Sequence, residues 1–254
     1  GNDRRLSAML FCFTQLLASS VALLNSLELD VPRHQNVPKT ANFSGKFCEN
    51  VIACIILDGC AGGGWTMVMK IDGNLPTFEF NATYWSNKVS YNQIDGTSGF
   101  DDVETKLPSY WITSFTEICV GMKVGNDLRF LAIPHAGQSL HSLLAEGKFI
   151  ATNVSRENWK SLIANSSLQP GCNHEGFNIY DPDYDHMAAR IGIIGDELED
   201  CDMADSFIGL GGKYNISSQC YPGIKNSPVS GNLASCGADA GNVNIKSMGY
   251  ILVR

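Results

Sequence analysis

Apolar and polar residues alternate along several short stretches of the chain, and this two-residue period predicts β-strands. The first such stretch covers residues 65–71 and follows three glycines at 62–64, whose conformational freedom suits a tight turn. The other stretches with this period are 118–124, 128–133, 189–194 and 248–254. The pattern therefore predicts a β-sheet domain that begins at the glycines and ends on a strand.

Two segments have helical rather than alternating spacing. Ser139 is placed to cap a short helix carrying Leu140, Leu143 and Leu144, and Gly147 follows as a stop signal. A second helix is predicted after Ser155, with apolar residues at helical spacing: Trp159, Leu162 and Ile163.

Residues 200–246 are rich in Gly, Asn, Ser, Cys and Pro and show little periodicity, which predicts a long disulfide-tied loop region. Together, these patterns predict an α+β domain with mixed short sheets, a few short helices and long loops.

The N-terminal part of the chain has the layout of a secretory signal peptide, assigned here to residues 1–26. Arg4 and Arg5 precede an apolar run at 8–24, which contains small residues such as Ser20 and Ala22 for cleavage. A signal-anchor helix is the alternative, for which the run is barely long enough. Residues 27–61 are interpreted as a leader and cysteine-containing segment of uncertain structure, and 62–254 as one continuous domain.

Cysteine usage points to an oxidising compartment. Cys12 lies inside the predicted signal, which leaves an even number of cysteines after cleavage, as expected of disulfide pairs in a secreted protein. The eight candidates are Cys48, Cys54, Cys60, Cys119, Cys172, Cys201, Cys220 and Cys236. Eight cysteines allow 105 connectivities, and the spacing does not choose among them.

Composition narrows the function classes further. The net charge is −8 and the basic residues form no cluster, so the chain lacks the electrostatic footprint of a nucleic-acid-binding protein. The glycosylation candidates, each the first residue of an Asn-x-Ser/Thr sequon, are Asn42, Asn81, Asn153, Asn165 and Asn215. Behind a signal peptide, they predict a secreted glycoprotein.

Several longer sequence words, taken in order along the chain, carry a resemblance to a group of secreted proteins. They cover 62–72, 83–88, 99–111, 118–123, 172–178, 189–195, 206–209 and 248–253. Together they resemble the fibrinogen-like, intelectin-like domain of cnidarian secreted proteins, including uncharacterised skeletal organic matrix proteins of stony corals. The resemblance covers residues 62–254 and implies a fibrinogen C-terminal-like fold in a protein of the extracellular matrix.

The resemblance also implies function: binding without catalysis, as calcium-assisted adhesion or association with matrix or mineral. A calcium-dependent lectin of innate recognition or symbiosis is the alternative. The chain departs from the family in two places. Residues 51–61 read as an insertion before the glycines, and residues 201–212 contain none of the histidines that accompany the intelectin sugar site. No sugar-site residue is therefore carried over.

Two acidic clusters are candidate calcium sites, because calcium prefers several oxygen ligands at once. Asp181, Asp183 and Asp185 alternate as in a calcium loop, but they lack the later ligands of such a loop, and a solvated turn explains them as well. The second cluster precedes the predicted loop region, where backbone carbonyls can add ligands, and its members are Asp196, Glu197, Glu199, Asp200, Asp202 and Asp205.

No pattern indicates an enzyme. There is no nucleophile elbow, and the cysteines are expected to be oxidised. The histidines lack metal-binding spacing: His135, His141, His174 and His186. The tryptophans are expected to pack in the core rather than stack on sugars: Trp65, Trp85, Trp111 and Trp159. The sequence thus predicts a secreted matrix protein whose partners are extracellular glycans, matrix proteins or a mineral surface, and it is compatible with an oligomer.

Overall fold

The computed structural model describes residues 57–180, 187–199, 201, 204–214, 220 and 226–254. Strands dominate this part of the chain. Their bounds are β1 (Thr66–Asp72), β2 (Thr105–Lys106), β3 (Phe115–Val124), β4 (Asp127–Gly137), β5 (Ile150–Ala151), β6 (Gly171–Tyr180), β7 (Met187–Asp196), β8 (Ser206–Leu210), β9 (Lys213–Tyr214), β10 (Ser230–Ala234), β11 (Val243–Lys246) and β12 (Met248–Val253). The α-helices are α1 (Ser109–Ile112), α2 (Leu140–Leu144) and α3 (Arg156–Ser161), and three 3-10 turns cover Pro76–Phe78, Thr83–Trp85 and Gln93–Thr97.

The strands form two antiparallel sheets. The first has five strands in the order β2-β1-β12-β3-β4, so that the first and last strands of the domain are neighbours. The second has seven strands, with the order β11-β10-β8-β7-β6-β5 and β9 paired with the start of β7. Antiparallel pairing brings the end of one strand next to the start of the next, and this geometry places the end of β7 beside the start of β8.

The main hydrophobic core lies between the two sheets and the helices. The first sheet contributes Val120 and Ile251, the second contributes Ile191 and Ile208, and Trp159 of α3 packs against the same cluster. The opposite face of the first sheet carries a second cluster around Trp65 and Tyr250, and the second sheet carries a third around Phe207 and Leu233. Both sheets are therefore covered by apolar side chains on both faces.

Burial on both faces explains why the α+β prediction is wrong. The structure is a β-rich fold built mainly of antiparallel sheets, and the three α-helices of its described part have four to six residues each. All five residues of β8 and all five of β10 are buried. A strand buried on both sides shows no alternation of apolar and polar residues, which is why sequence analysis missed β8 and β10. The region predicted to be one long loop contains these two strands together with β9 and β11.

The strands predicted from alternation are confirmed as β1, β3, β4, β7 and β12. Ser139 caps α2 as expected: its side chain accepts a hydrogen bond from the Ser142 N–H, and Ser142 reciprocates. The helix after Ser155 is present, but the Ser155 side chain makes no capping bond. Glu175 instead accepts hydrogen bonds from the backbone N–H groups of Val154 and Ser155 and from the Trp159 indole.

The folded domain also includes residues upstream of the glycines. Leu57 and Cys60 are buried in the second cluster, and Cys60 is disulfide-bonded to Cys119 of β3. The backbone at Gly59 passes so close to β4 that an added Cβ would lie 2.0 Å from the Phe130 carbonyl oxygen. The end of the segment interpreted as an insertion therefore packs on the first sheet.

Asn232 of β10 ties the second sheet to the chain before β6. It is completely buried, and its side-chain amide exchanges two hydrogen bonds with the Ser167 backbone and donates a third to the Phe207 carbonyl. Asn232→Ala leaves these buried backbone groups without partners, so we expect a loss of about 3 kcal/mol in the free energy of unfolding, measured by urea denaturation. Asn244→Ala, at an exposed position of the neighbouring strand β11, is the control and should change stability little. Equal losses in the two variants would contradict this role of Asn232.

Candidate functional site: a carboxylate cluster beside two disulfides

The candidate site lies where β7 ends and β8 begins. Gly195 and Ser206 are paired across these two strands, and Asp196 and Asp205 are the next residue outward on each. The Asp205 N–H donates to the Gly195 carbonyl at 3.2 Å, which holds the end of β7 and the residue before β8 together. The antiparallel register thus brings together two carboxylates that are nine positions apart in sequence.

Glu197 completes the cluster. Its carboxylate and those of Asp196 and Asp205 offer three oxygen atoms that all lie within 4.8 Å of one another. Asp196 and Asp205 are buried, with 2% and 7% of their surface exposed, whereas Glu197 is exposed. The cluster is therefore anchored in the protein on one side and open to solvent on the other.

Gln169 fixes the position of these carboxylates from the interior of the protein. Its fully buried side chain donates to Glu197 Oε2 at 2.7 Å and to the Cys236 carbonyl at 3.0 Å, and accepts from the Asp205 N–H at 3.1 Å. The Gln169 N–H in turn donates to the Ser206 hydroxyl. Sequence analysis missed Gln169, since a glutamine between an apolar residue and a proline carries no local signal of such a role.

A second layer of contacts fixes the backbone around Gln169. Arg156 donates to the carbonyls of Leu168 and Gln169 and to Asp239, and Asp239 also accepts from the Leu168 N–H. Burial alone would raise the pKa of Asp239, but its hydrogen bonds from Lys160, Leu168 and Arg156 outweigh burial and lower the pKa to about 2. Asp239 therefore stays ionised and keeps this support intact.

The three clustered carboxylates repel one another. Burial, followed by the neighbouring Glu197 and Asp205, raises the pKa of Asp196 to about 7. Either a proton on Asp196 or a bound cation relieves this repulsion. An all-oxygen set of carboxylates suits a hard divalent cation such as Ca²⁺, and backbone carbonyls or water can complete its coordination.

The raised pKa predicts a pH dependence of stability in the absence of a divalent cation. The folded state keeps a proton that the unfolded chain loses near pH 4, so stability falls as pH rises from about 4 to about 7, the folded value. We expect Asp196→Asn to remove most of this decrease, which amounts to at most about 4 kcal/mol over this pH range. Urea denaturation with a chelator across this pH range measures it, and parallel curves for the two proteins would contradict the assignment.

The structure brings together only some of the predicted metal-ligand residues. Asp196, Glu197 and Asp205 converge, whereas Glu199 is exposed and lies outside the cluster. Asp200 and Asp202 lie outside the described residues, as do Asp181, Asp183 and Asp185 of the other acidic segment. The calcium assignment itself stays a prediction.

Disulfide formation is confirmed for six of the predicted cysteines. The pairs are Cys60–Cys119, Cys172–Cys201 and Cys220–Cys236. Cys48 and Cys54 lie outside the described residues. The latter two pairs flank the carboxylate cluster: Gly171, next to Cys172, pairs with Asp196, and Asp205 Oδ2 lies 3.1 Å from Cys220 Sγ. Disulfides of this kind are typical of oxidising environments.

The four tryptophans lie in or against the hydrophobic clusters. Trp65, Trp85 and Trp159 are at most 1% exposed, and Trp111 packs against the main core. Within the described ranges, no histidine belongs to a group with metal-ligand geometry. The tryptophans thus serve packing, as expected.

Three glycosylation candidates lie at the surface. Asn81, Asn153 and Asn165 are exposed, whereas Asn42 and Asn215 lie outside the described residues. Exposure leaves room for a glycan at each of the three, and their modification stays a prediction.

The described residues contain no helix long and apolar enough to cross a membrane. Comparisons of the chain with protein-family models, with curated proteins and with solved structures gave no match.

Proposed function

We propose that this chain is a secreted extracellular binding protein whose ligand-contacting loops are held in place by a calcium ion. The observation that carries the proposal is the convergence of Asp196, Glu197 and Asp205 beside two disulfides. Two of these carboxylates are buried, and a bound cation would compensate the cost of keeping them charged there. The third is exposed, so the ion would lie at the surface, next to any bound partner.

The surroundings of the cluster support binding rather than catalysis. Disulfides fix the chain on both sides, and the Gln169 amide fixes the carboxylates, which favours a rigid recognition surface. The proposed partner class is an extracellular matrix component or a mineral surface, in keeping with the predicted secretion and the resemblance to fibrinogen-like matrix proteins. A calcium-dependent lectin is the alternative function of the same site.

Binding assays with and without a chelator test the proposal. Purified protein, folded with its disulfides intact, is applied to calcium carbonate particles, to extracellular matrix proteins and to a glycan array. We expect chelator-sensitive retention on matrix or mineral in the wild type and its loss in Asp205→Asn. Glu199→Gln is a matched control, because it removes a nearby acidic charge that lies outside the cluster.

The possible outcomes separate the functions. Chelator-sensitive binding to a defined sugar would replace the matrix proposal by the lectin. Chelator-insensitive binding of any kind would refute the calcium-dependent mechanism, and the absence of all binding would refute both functions. The mineral assay includes a second acidic protein of similar net charge, so that simple charge attraction is recognised.

A further inference from the structure

The disulfide Cys220–Cys236 forms part of a second cluster of metal-ligand atoms that shares Asp205 with the carboxylate cluster. One oxygen of Asp205 and the two sulfur atoms all lie within 4.8 Å of one another. While the sulfurs are bonded to each other they are not thiolates, and a thiolate is the form of cysteine that binds a metal. In the oxidised protein, this arrangement therefore offers only the Asp205 carboxylate.

Contacts other than the disulfide hold the three ligand-bearing residues in position. The Ser235 hydroxyl donates to the Cys220 carbonyl at 2.8 Å, and Gln169 donates to the Cys236 carbonyl at 3.0 Å. Cys236 closely follows the buried strand β10, and Asp205 directly precedes β8. After reduction, the two sulfurs would need to separate only to about 3.7 Å, their spacing in a tetrahedral zinc site with Zn–S bonds of about 2.3 Å.

This disulfide is also accessible to a reductant. Cys220 and Cys236 are both partly exposed, as are Cys172 and Cys201, whereas Cys60 and Cys119 are fully buried. Attack by a dithiol transfers two electrons: the dithiol becomes a cyclic disulfide, the Cys220–Cys236 bond breaks, and two thiols form. A divalent metal ion then displaces one proton from each thiol and binds both thiolates.

We propose that reduction of Cys220–Cys236 creates a site for a thiophilic divalent ion such as zinc, with Cys220, Cys236 and Asp205 as ligands. Two thiolates and one carboxylate favour zinc or cadmium over calcium, and they leave a fourth position for water. Because Asp205 belongs to both clusters, the same carboxylate serves a hard ion in the oxidised protein and a softer ion in the reduced protein. The redox state thereby selects the class of metal.

Cadmium titration tests this site, since cadmium–thiolate bonds absorb in the ultraviolet. Wild-type protein is treated with a dithiol, the dithiol is removed, and the reduced cysteines are identified by alkylation and mass spectrometry. We expect one tightly bound Cd²⁺ per chain in which only Cys220 and Cys236 are reduced, and none in the oxidised chain. Zinc should compete for the same site, and excess calcium should not.

Variants assign the ligands. We expect Asp205→Asn, which keeps every cysteine, to weaken cadmium binding by about tenfold or more, and Glu199→Gln to leave it unchanged. The double variant Cys220→Ala/Cys236→Ala should lose the absorption band. The proposal is overturned if that variant keeps the band, if Asp205→Asn binds as tightly as the wild type, or if circular dichroism shows that the reduced protein has lost its fold.

Discussion

Saturating calcium is expected to raise the thermal unfolding midpoint of the oxidised protein by about 5–10 °C, and Asp205→Asn is expected to abolish this shift. A ligand that binds only the folded state stabilises it by about 2.7 kcal/mol at a hundred times its dissociation constant, and a domain of this size gains about 2–4 °C per kcal/mol. Asp205 is the residue to change, because it is buried and its N–H is already held by Gln169. Differential scanning calorimetry with calcium or with a chelator measures the shift.

Two comparisons make this result specific. Glu199→Gln should retain the full calcium shift, since Glu199 lies outside the cluster. The shift should also shrink below about pH 7, where Asp196 holds a proton that the cation must displace. If Asp205→Asn keeps the calcium shift, the three carboxylates do not form the cation site.

Removal of the buried disulfide is expected to have the largest effect on stability among the described pairs. Cys60 and Cys119 are 59 residues apart, and closing a loop of that length is worth about 4 kcal/mol in the chain-entropy description. The pair also holds Leu57 and Cys60 over the outer face of the first sheet. We therefore expect Cys60→Ala/Cys119→Ala to lose about 4 kcal/mol or more in urea denaturation.

The pair Cys220–Cys236 provides the comparison. Its separation of 16 residues predicts a smaller loss of about 3 kcal/mol, and its cysteines are only partly buried. Reduction kinetics should follow the same order, with Cys220–Cys236 reduced well before Cys60–Cys119. A smaller loss of stability for the Cys60–Cys119 variant than for the Cys220–Cys236 variant would show that residues 57–60 contribute little to the fold.

Sequence patterns identified the elements that have one distinctive period. The strands β3, β4 and β12 alternate clearly, and Ser139 lies where a helix cap is expected. The same method failed for β8 and β10, whose residues are buried on both faces, and for β6, which opens with Gly, Cys and Asn. Burial on both sides removes the contrast between apolar and polar positions on which sequence prediction depends.

The candidate site, like the fold, could be predicted only in part from the sequence. Local composition indicated an acidic segment after β7, and it named Asp196, Glu197 and Asp205 together with residues that do not converge. Glu199 has the same charge and lies in the same short segment, yet it is exposed and does not belong to the cluster. Which carboxylates converge is determined by the β7–β8 register and by Gln169, a residue more than 25 positions upstream.

The sequence by itself determined the β-strand periods of the domain, the cysteines available for disulfides and the acidic segment, because each of these is a property of neighbouring residues. Only the tertiary structure decided the β-rich architecture, the pairing of the cysteines and the choice of three carboxylates. These depend on contacts between residues far apart in the chain, such as Asn232 with Ser167 and Gln169 with Glu197. Long-range contacts of this kind form when strands take their register in a sheet, and no short stretch of sequence records them.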